Sequence, residues 1–320
     1  MSKNAVIKAL KKNKSFLIVT HVNPDGDALG CQLAMAKVLK GLKKTVYVYA
    51  EGKPPAIYDF LPGIKSIKVL TKKTNLKFDA ALIIDCPTID RIGEVSNLIT
   101  DELKIYIDHH PGPKHSKSIN LKDSKSASCA EIIYDLIHKM NQRIDKTTAT
   151  LLYVGVATDT GFFRHPNTNS KSLLVASELL KAGANAHEIS KKINQNSSFK
   201  RLQLLGLALK SLKLYNKGEI GVMQVNLNMF KQTKTQPEDT EEFVNFPKSI
   251  KSVKVAVLMR EISKQKVKIS LRSDKAVDVN AIAATFGGGG HRQASGCVIR
   301  GSMEQAEKKI IAQIKTGLKK

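Results

Sequence analysis

Tryptophan is absent and aromatic residues make up only 5% of the chain, yet 42% of its residues are hydrophobic. That balance is the composition of a soluble globular protein and excludes a disordered or fibrous one. No apolar run approaches the roughly 20 residues that a membrane helix needs, so no membrane partner is expected. Cysteine is scarce: Cys31, Cys86, Cys129 and Cys297 are scattered without a CxxC pair, which argues against a zinc ribbon and a disulfide framework and fits a reducing cytoplasm. The first 14 residues are basic and weakly amphipathic but lack a signal core of about 7–15 apolar residues. They read as a first helix. There is no internal repeat, and the one low-complexity element is Gly287 to Gly290.

Positive charge is plentiful. Lysine plus arginine outnumber aspartate plus glutamate by 52 to 28, a formal charge of +24, which favours polyanionic partners such as nucleic acid or nucleotides. Lysines spread over solvated helix faces for solubility would give the same number. Only eight of the basic residues are arginine, the side chain whose planar fork grips phosphate bidentately, so arginine positions carry more information than total charge.

A chain of 320 residues accommodates two domains, each with its own core. Apolar runs at 16–20, 45–49, 80–84 and 104–107 alternate with helical spacing at 29–39 and 130–140, the pattern of a parallel sheet built from βαβ units. Helical spacing over 173–180 ends at Gly183, and the first α/β domain closes near residue 190. Residues 191–214 read as a polar linker with a connecting helix over 201–212. From 215 onwards, strand-like runs at 220–225, 253–260 and 266–271, the glycine run and a final helix over 303–314 describe a smaller α/β domain. A substrate cleft is expected between the two.

The chemistry-bearing residues sit where strands end. His21-Val22-Asn23-Pro24-Asp25-Gly26-Asp27-Ala28-Leu29-Gly30 follows the first strand and precedes a helix, presenting an imidazole and two carboxylates on a tight turn. Alone, it could be a turn with a helix N-cap. Asp85 then ends the run 80–84, and Asp108-His109-His110 ends the run 104–107. In an open parallel sheet the carboxyl ends of strands face one crevice, so these groups should converge. Asp159 follows another apolar stretch. Asp25, Asp27, Asp85 and Asp159 would crowd four negative charges into that crevice, and two divalent cations would cancel them. Carboxylate and imidazole without thiolate suit manganese better than structural zinc. Such a pair lowers the pKa of a shared water and neutralises phosphoryl oxygens.

His-x-x-x-Asp-x-Asp, a lone Asp after a strand, Asp-His-His and a later Asp, in that order, resemble the four motifs of the DHH phosphoesterases. Phe286-Gly287-Gly288-Gly289-Gly290-His291-Arg292-Gln293-Ala294-Ser295-Gly296 resembles the Gly-Gly-Gly-His motif of their DHHA1 domains. The resemblance implies that His21, Asp25 and Asp85 hold one metal and that Asp27, Asp85, His109 and Asp159 hold the other, with Asp85 bridging. It further implies that Asp108 orients an imidazole and that His110 contacts the scissile phosphate or protonates the leaving oxygen. Arg272, in Leu-Arg-Ser, resembles the family's nucleotide-binding arginine, and Arg164 is placed to reach a substrate phosphate. With Gly288, Gly289, Gly290, His291 and Ser295 they complete the implied substrate set. The branch of the family most resembled degrades short RNA oligonucleotides to mononucleotides and converts pAp to AMP. Linear or cyclic dinucleotides and single strands of the RecJ type are alternative substrates, a catalytically silent nucleotide or RNA sensor is the non-enzymatic alternative, and a homodimer is the partner state considered.

Overall fold

A computed structural model of the chain describes residues 3–113, 115–195, 197–274 and 277–318. It divides into two compact units, Met1–Asn196 and Ser197–Lys320, each with its own six-stranded sheet.

The first unit contains α1 (Lys3–Lys12), β1 (Ser15–Val19), α2 (Gly26–Gly41), β2 (Thr45–Ala50), β3 (Lys68–Val69), β4 (Ala80–Ile84), β5 (Leu103–Asp108), β6 (Ile119–Lys122), α3 (Cys129–Lys139), α4 (Lys146–Asp159), α5 (Ser170–Lys181) and α6 (Ala186–Asn194). Its strands are all parallel, in the order β3-β2-β1-β4-β5-β6. β4 and residues 16–19 of β1 are apolar without interruption because both sheet faces are covered: Phe16 and Ile18 enter one core, Leu17 and Val19 the other. The strand order reverses between β1 and β4, and at such a switch point the carboxyl ends of the strands open a crevice. His21 and Asp85 follow those two strands.

α2 lies between the sheet and α4 and is buried along nearly its whole length. The approach of the two helices is close enough to require glycine. A Cβ on Gly30 would run into the Leu151 carbonyl oxygen, and one on Gly26 would meet the Thr158 side chain at 2.6 Å. α4 has no polar face, since residues 151–157 are all buried, and for that reason its sequence reads as an apolar stretch without helical periodicity. The segment 191–194, expected to open a linker, instead completes α6.

In the second unit, α7 (Phe199–Lys210), β7 (Lys213–Tyr215), β8 (Ile220–Val225), α8 (Leu227–Thr233), α9 (Asn245–Lys248), β9 (Val255–Ser263), β10 (Lys266–Ser273), α10 (Val279–Ala284), β11 (Gly289–His291), β12 (Ala294–Arg300) and α11 (Met303–Leu318) follow in order. The sheet runs β11-β12-β10-β9-β8-β7; β8 and β9 pair in parallel and the other neighbours are antiparallel. α10 and α11 cover the face that carries Val267, Ile269 and Leu271. The other face is covered where Ala256 and Leu258 meet Leu204 and Ala208 of α7. α7, expected as a connecting helix, thus packs as part of this unit. The glycine run forms β11 and its approach.

Replacing Gly30 with alanine should force α2 away from α4 and lower stability by about 1–3 kcal/mol, read as a lower midpoint in urea unfolding with an unchanged slope.

Candidate metal centre

Asp25 is the N-cap of α2; its Oδ1 accepts from the backbone N–H groups of Asp27 and Ala28, each at 3.0 Å. The N-cap expected of this turn is therefore present, and Oδ2 is left free of the cap. His21 Nδ1 donates to the Val22 carbonyl at 2.9 Å, which leaves the Nε2 lone pair facing Asp85 Oδ2, 3.7 Å away. His109 is arranged alike. Its Nδ1 faces the Ser126 carbonyl at 3.4 Å, and its Nε2 lies 3.5 Å from Asp85 Oδ1 and 3.3 Å from Asp159 Oδ2.

Asp85, directly after β4, is 2% exposed and adopts φ +58°. Left-handed backbone is uncommon outside glycine, though aspartate is enriched there. Asp27 is 1% exposed. Its Oδ2 accepts from Cys129 N at 2.6 Å, and its Oδ1 accepts from Ala130 N at 3.0 Å and from the Cys31 thiol at 3.3 Å. The Cys129 and Ala130 donors belong to the first turn of α3, capped by Ser128, where helix N–H groups are free to bind an anion. Gly155 of α4 makes room for this carboxylate: a Cβ there would meet Asp27 Oδ1 at 2.5 Å. Asp159 ends α4, at the negative end of the helix dipole, an unfavourable place for a carboxylate that has no cation.

Three groups of potential ligands result, each with its ligand atoms within 4.8 Å of one another: His21, Asp25 and Asp85; Asp27, His109 and Asp159; and Asp85, His109 and His110. Asp85 Oδ1 and Asp159 Oδ2 are buried without a hydrogen-bond partner among the described residues. Burial, followed by repulsion from Asp85 and other carboxylates, pushes Asp27 well above the usual carboxylate range, and the same causes push Asp159 up to about 7. Burial holds His109 low and neutral, as a ligand must be. Carboxylate and imidazole donors, orphaned buried oxygens and unrelieved negative charge fit a divalent cation.

Asp108 is fully buried. Its Oδ1 accepts from the His110 backbone N–H at 3.1 Å and from His110 Nδ1 at 2.9 Å, while Lys122 Nζ lies 3.5 Å from Oδ2. The bond from Asp108 outweighs burial and raises the His110 pKa. For Asp108, burial is opposed by the two bonds from His110, and the carboxyl ends below its usual range. Arg164 is exposed, and its Nε donates to the Gly161 carbonyl at 2.8 Å.

In the second unit, Arg272 stands half-buried on β10, with Nη1 donating to the Leu271 carbonyl at 3.0 Å. The glycines have separate reasons. A Cβ on Gly288 would collide with Gly296 and Cys297 of β12, and one on Gly290 would meet the Ala294 oxygen at 2.5 Å, whereas Gly289 has only Asn280 Oδ1 nearby, at 3.7 Å. Hairpin packing therefore demands Gly288 and Gly290 but leaves Gly289 without a structural requirement. His291 is exposed; the Ser295 hydroxyl donates to its carbonyl at 2.6 Å, tying Ser295 into the hairpin.

Residues 15–156 match the DHH family, N-terminal domain, and residues 219–320 match the DHHA1 domain. The bifunctional oligoribonuclease and PAP phosphatase NrnA of Thermus thermophilus is 30% identical over 94% of this chain and 89% of its own length. The chain belongs to the DHH phosphoesterase family. This DHH protein is also 27% identical to the probable NrnA of Streptococcus mutans, over 91% of each chain. Its fold matches the crystal structure of an exopolyphosphatase-related protein from Bacteroides fragilis with a TM-score of 0.91 and 31% identity, covering 98% of this chain and 95% of the other.

Sequence reasoning about this DHH domain missed the α3 amides and Gly155. A signal existed in Ser128-Cys129-Ala130-Glu131, a Ser-x-x-Glu pattern that marks a helix start.

A carboxyl with a raised folded pKa favours the folded state below its unfolded value, and that contribution is lost as pH rises through the folded value. For Asp159 the window runs from the ordinary 3.8 to about 7. Metal-free protein should therefore melt at a lower temperature at pH 8 than at pH 5, Asp159→Asn should flatten that slope, and added Mn2+ should raise the midpoint more at pH 8.

Proposed function

We propose that this phosphoesterase uses two divalent ions, with manganese the expected one, to hydrolyse short RNA oligonucleotides to mononucleotides and pAp to AMP. One observation carries the metal part: the convergence of His21, Asp25, Asp27, Asp85, His109 and Asp159 at the switch between β1 and β4, with buried oxygens left unpaired. The substrate part is supported by the relatives named bifunctional oligoribonuclease and PAP phosphatase, which align over most of this chain.

His21, Asp25 and Asp85 would hold one ion, and Asp27, Asp85, His109 and Asp159 the other, with Asp85 shared. Bound there, the ions would supply Lewis acidity to phosphoryl oxygens and a water made acidic enough to attack near neutral pH. The residues themselves do the positioning. Asp108 takes the proton-bearing Nδ1 of His110 and, by raising its pKa, favours the protonated imidazole, whose Nε2–H would donate to a phosphoryl oxygen or to the leaving oxygen. Lys122, whose Nζ also donates to the Pro87 and Pro113 carbonyls at 2.9 and 3.0 Å, fixes Asp108 from behind. In the second unit, Arg272, the backbone around Gly289 and His291 would take the nucleotide part of the substrate, with Arg164 of the first unit reaching a phosphate. The first unit, to Asn196, would form the catalytic domain and the second, from Ser197 and including α7, the substrate domain.

The test is product release from 5′-labelled RNAs, from the dinucleotide to strands of about 25 residues, with pAp and a cyclic dinucleotide alongside. Turnover should be fastest on the shortest RNAs and on pAp, require a divalent ion and vanish in Asp85→Ala. Preference for long strands or for the cyclic substrate would overturn the substrate assignment. Asp108→Asn should retain metal binding and lower kcat by about 10–100-fold.

A further inference from the structure

The acidic turn before α9 has no role in the chemistry above, yet it is firmly built. Arg201 of α7 holds it: Nε donates to the Asp239 carbonyl at 3.0 Å, Nη2 to the Glu241 carbonyl at 2.8 Å and Nη1 to Ser197 Oγ at 2.7 Å. The same guanidinium lies 5.2 Å over the Phe243 ring. Phe243 and Val244 are buried in the cluster that contains Ala256. Between these anchors Glu242 is exposed with φ +64°, a conformation costly to a long side chain and free to glycine. Among the described residues no hydrogen bond to its carboxylate accounts for that cost.

The sheet register and the packing of Phe243 and Val244 bring the turn that carries Glu242 to the face of the sheet on which Arg272 stands. Ala256 of β9 pairs directly with Arg272 of β10, and directly opposed residues in antiparallel strands point to the same face. Arg272 therefore stands on the face against which Phe243 and Val244 pack, and Glu242 directly precedes that pair in the chain. The Glu242 charge opposes the effect of burial on the Arg272 guanidinium.

A carboxylate next to a phosphate-gripping arginine repels the phosphate itself, so it must face an uncharged donor of the same ligand. An ionised glutamate only accepts hydrogen bonds. In a nucleotide the donors one step from the phosphate are the ribose hydroxyls, and carboxylates bind ribose 2′-hydroxyls in dinucleotide sites for this reason. We propose that Glu242 is a specificity residue whose carboxylate accepts the 2′-hydroxyl of the ribose whose phosphate Arg272 holds, so that the second unit selects RNA over DNA. Strain kept at an exposed position where glycine would relieve it marks the side chain as the part in use. This inference rests on the nucleotide-hydrolysis reading above.

The test compares kcat/KM for an RNA dinucleotide and its 2′-deoxy counterpart in the wild type, Glu242→Gln and Glu242→Gly. The wild type should prefer RNA by roughly ten- to hundredfold, the range of one lost charged hydrogen bond, and both variants should bring the ratio close to one. Glu242→Gly should melt no lower than the wild type, because it removes strain, which separates lost recognition from lost folding. An unchanged ratio in both variants, including an equal loss on both substrates, would overturn the role. If the wild type cleaves neither dinucleotide, the parent reading fails instead. Calorimetric binding of AMP against 2′-deoxy-AMP then decides on Glu242: preference for AMP that Glu242→Gln abolishes supports it, and equal binding to the wild type removes it.

Discussion

Crowding of like charge at the carboxyl ends of β1, β4 and β5 is the constraint that the first unit is organised around. Four carboxylates share a crevice in which Asp27 and Asp85 are buried, and two of the four, Asp27 and Asp159, are driven toward the protonated form when nothing else neutralises them. The fold partly relieves this: the α3 amides take Asp27, and the α2 cap takes one oxygen of Asp25. It also sharpens it, by ending α4 at Asp159 and by holding Asp85 in a left-handed backbone. A polypeptide retains such an arrangement where a cation completes it.

Packing and chemistry meet at the crossing of α2 with α4. Gly26 and Gly30 let the helices touch, and Gly155, one turn before the end of α4, leaves the space that Asp27 fills. The carboxylates of α2 and α4 are thus positioned by the absence of side chains as much as by their presence. In the second unit the same economy applies to β11 and β12, where Gly288 and Gly290 serve the hairpin and Gly289 alone is spare.

Much of this was legible in the sequence because ligand residues follow apolar runs whose periodicity marks strands. β1, β4 and β5 were each readable to within a residue or so, and parallel-sheet geometry did the rest by bringing residues far apart in the chain to one edge. What could not be read had physical causes. β3 and β6 are short and lie at the sheet's two edges, so they carry little pattern. α4 is buried on all sides and shows no amphipathic period. Backbone donors such as Cys129 N are invisible in a sequence except through the cap that precedes them. Nothing in the sequence marks Arg201, because a side chain whose partners are carbonyl oxygens some 40 residues away leaves no local trace.

The placement of the ligands along the chain also bears on how the molecule is made. His21, Asp25, Asp27, Asp85, His109 and Asp159 all lie within the first compact unit, which ends at Asn196. Synthesis runs from the N-terminus at about 5–20 residues per second, and domains generally fold as units. The carboxylate crevice can therefore be finished on the ribosome before the last strand and helix of the second unit exist. An ion captured at that stage would hold the nascent first unit closed against the repulsion of its own carboxylates, and the supply of such an ion would then act on the yield of folded protein.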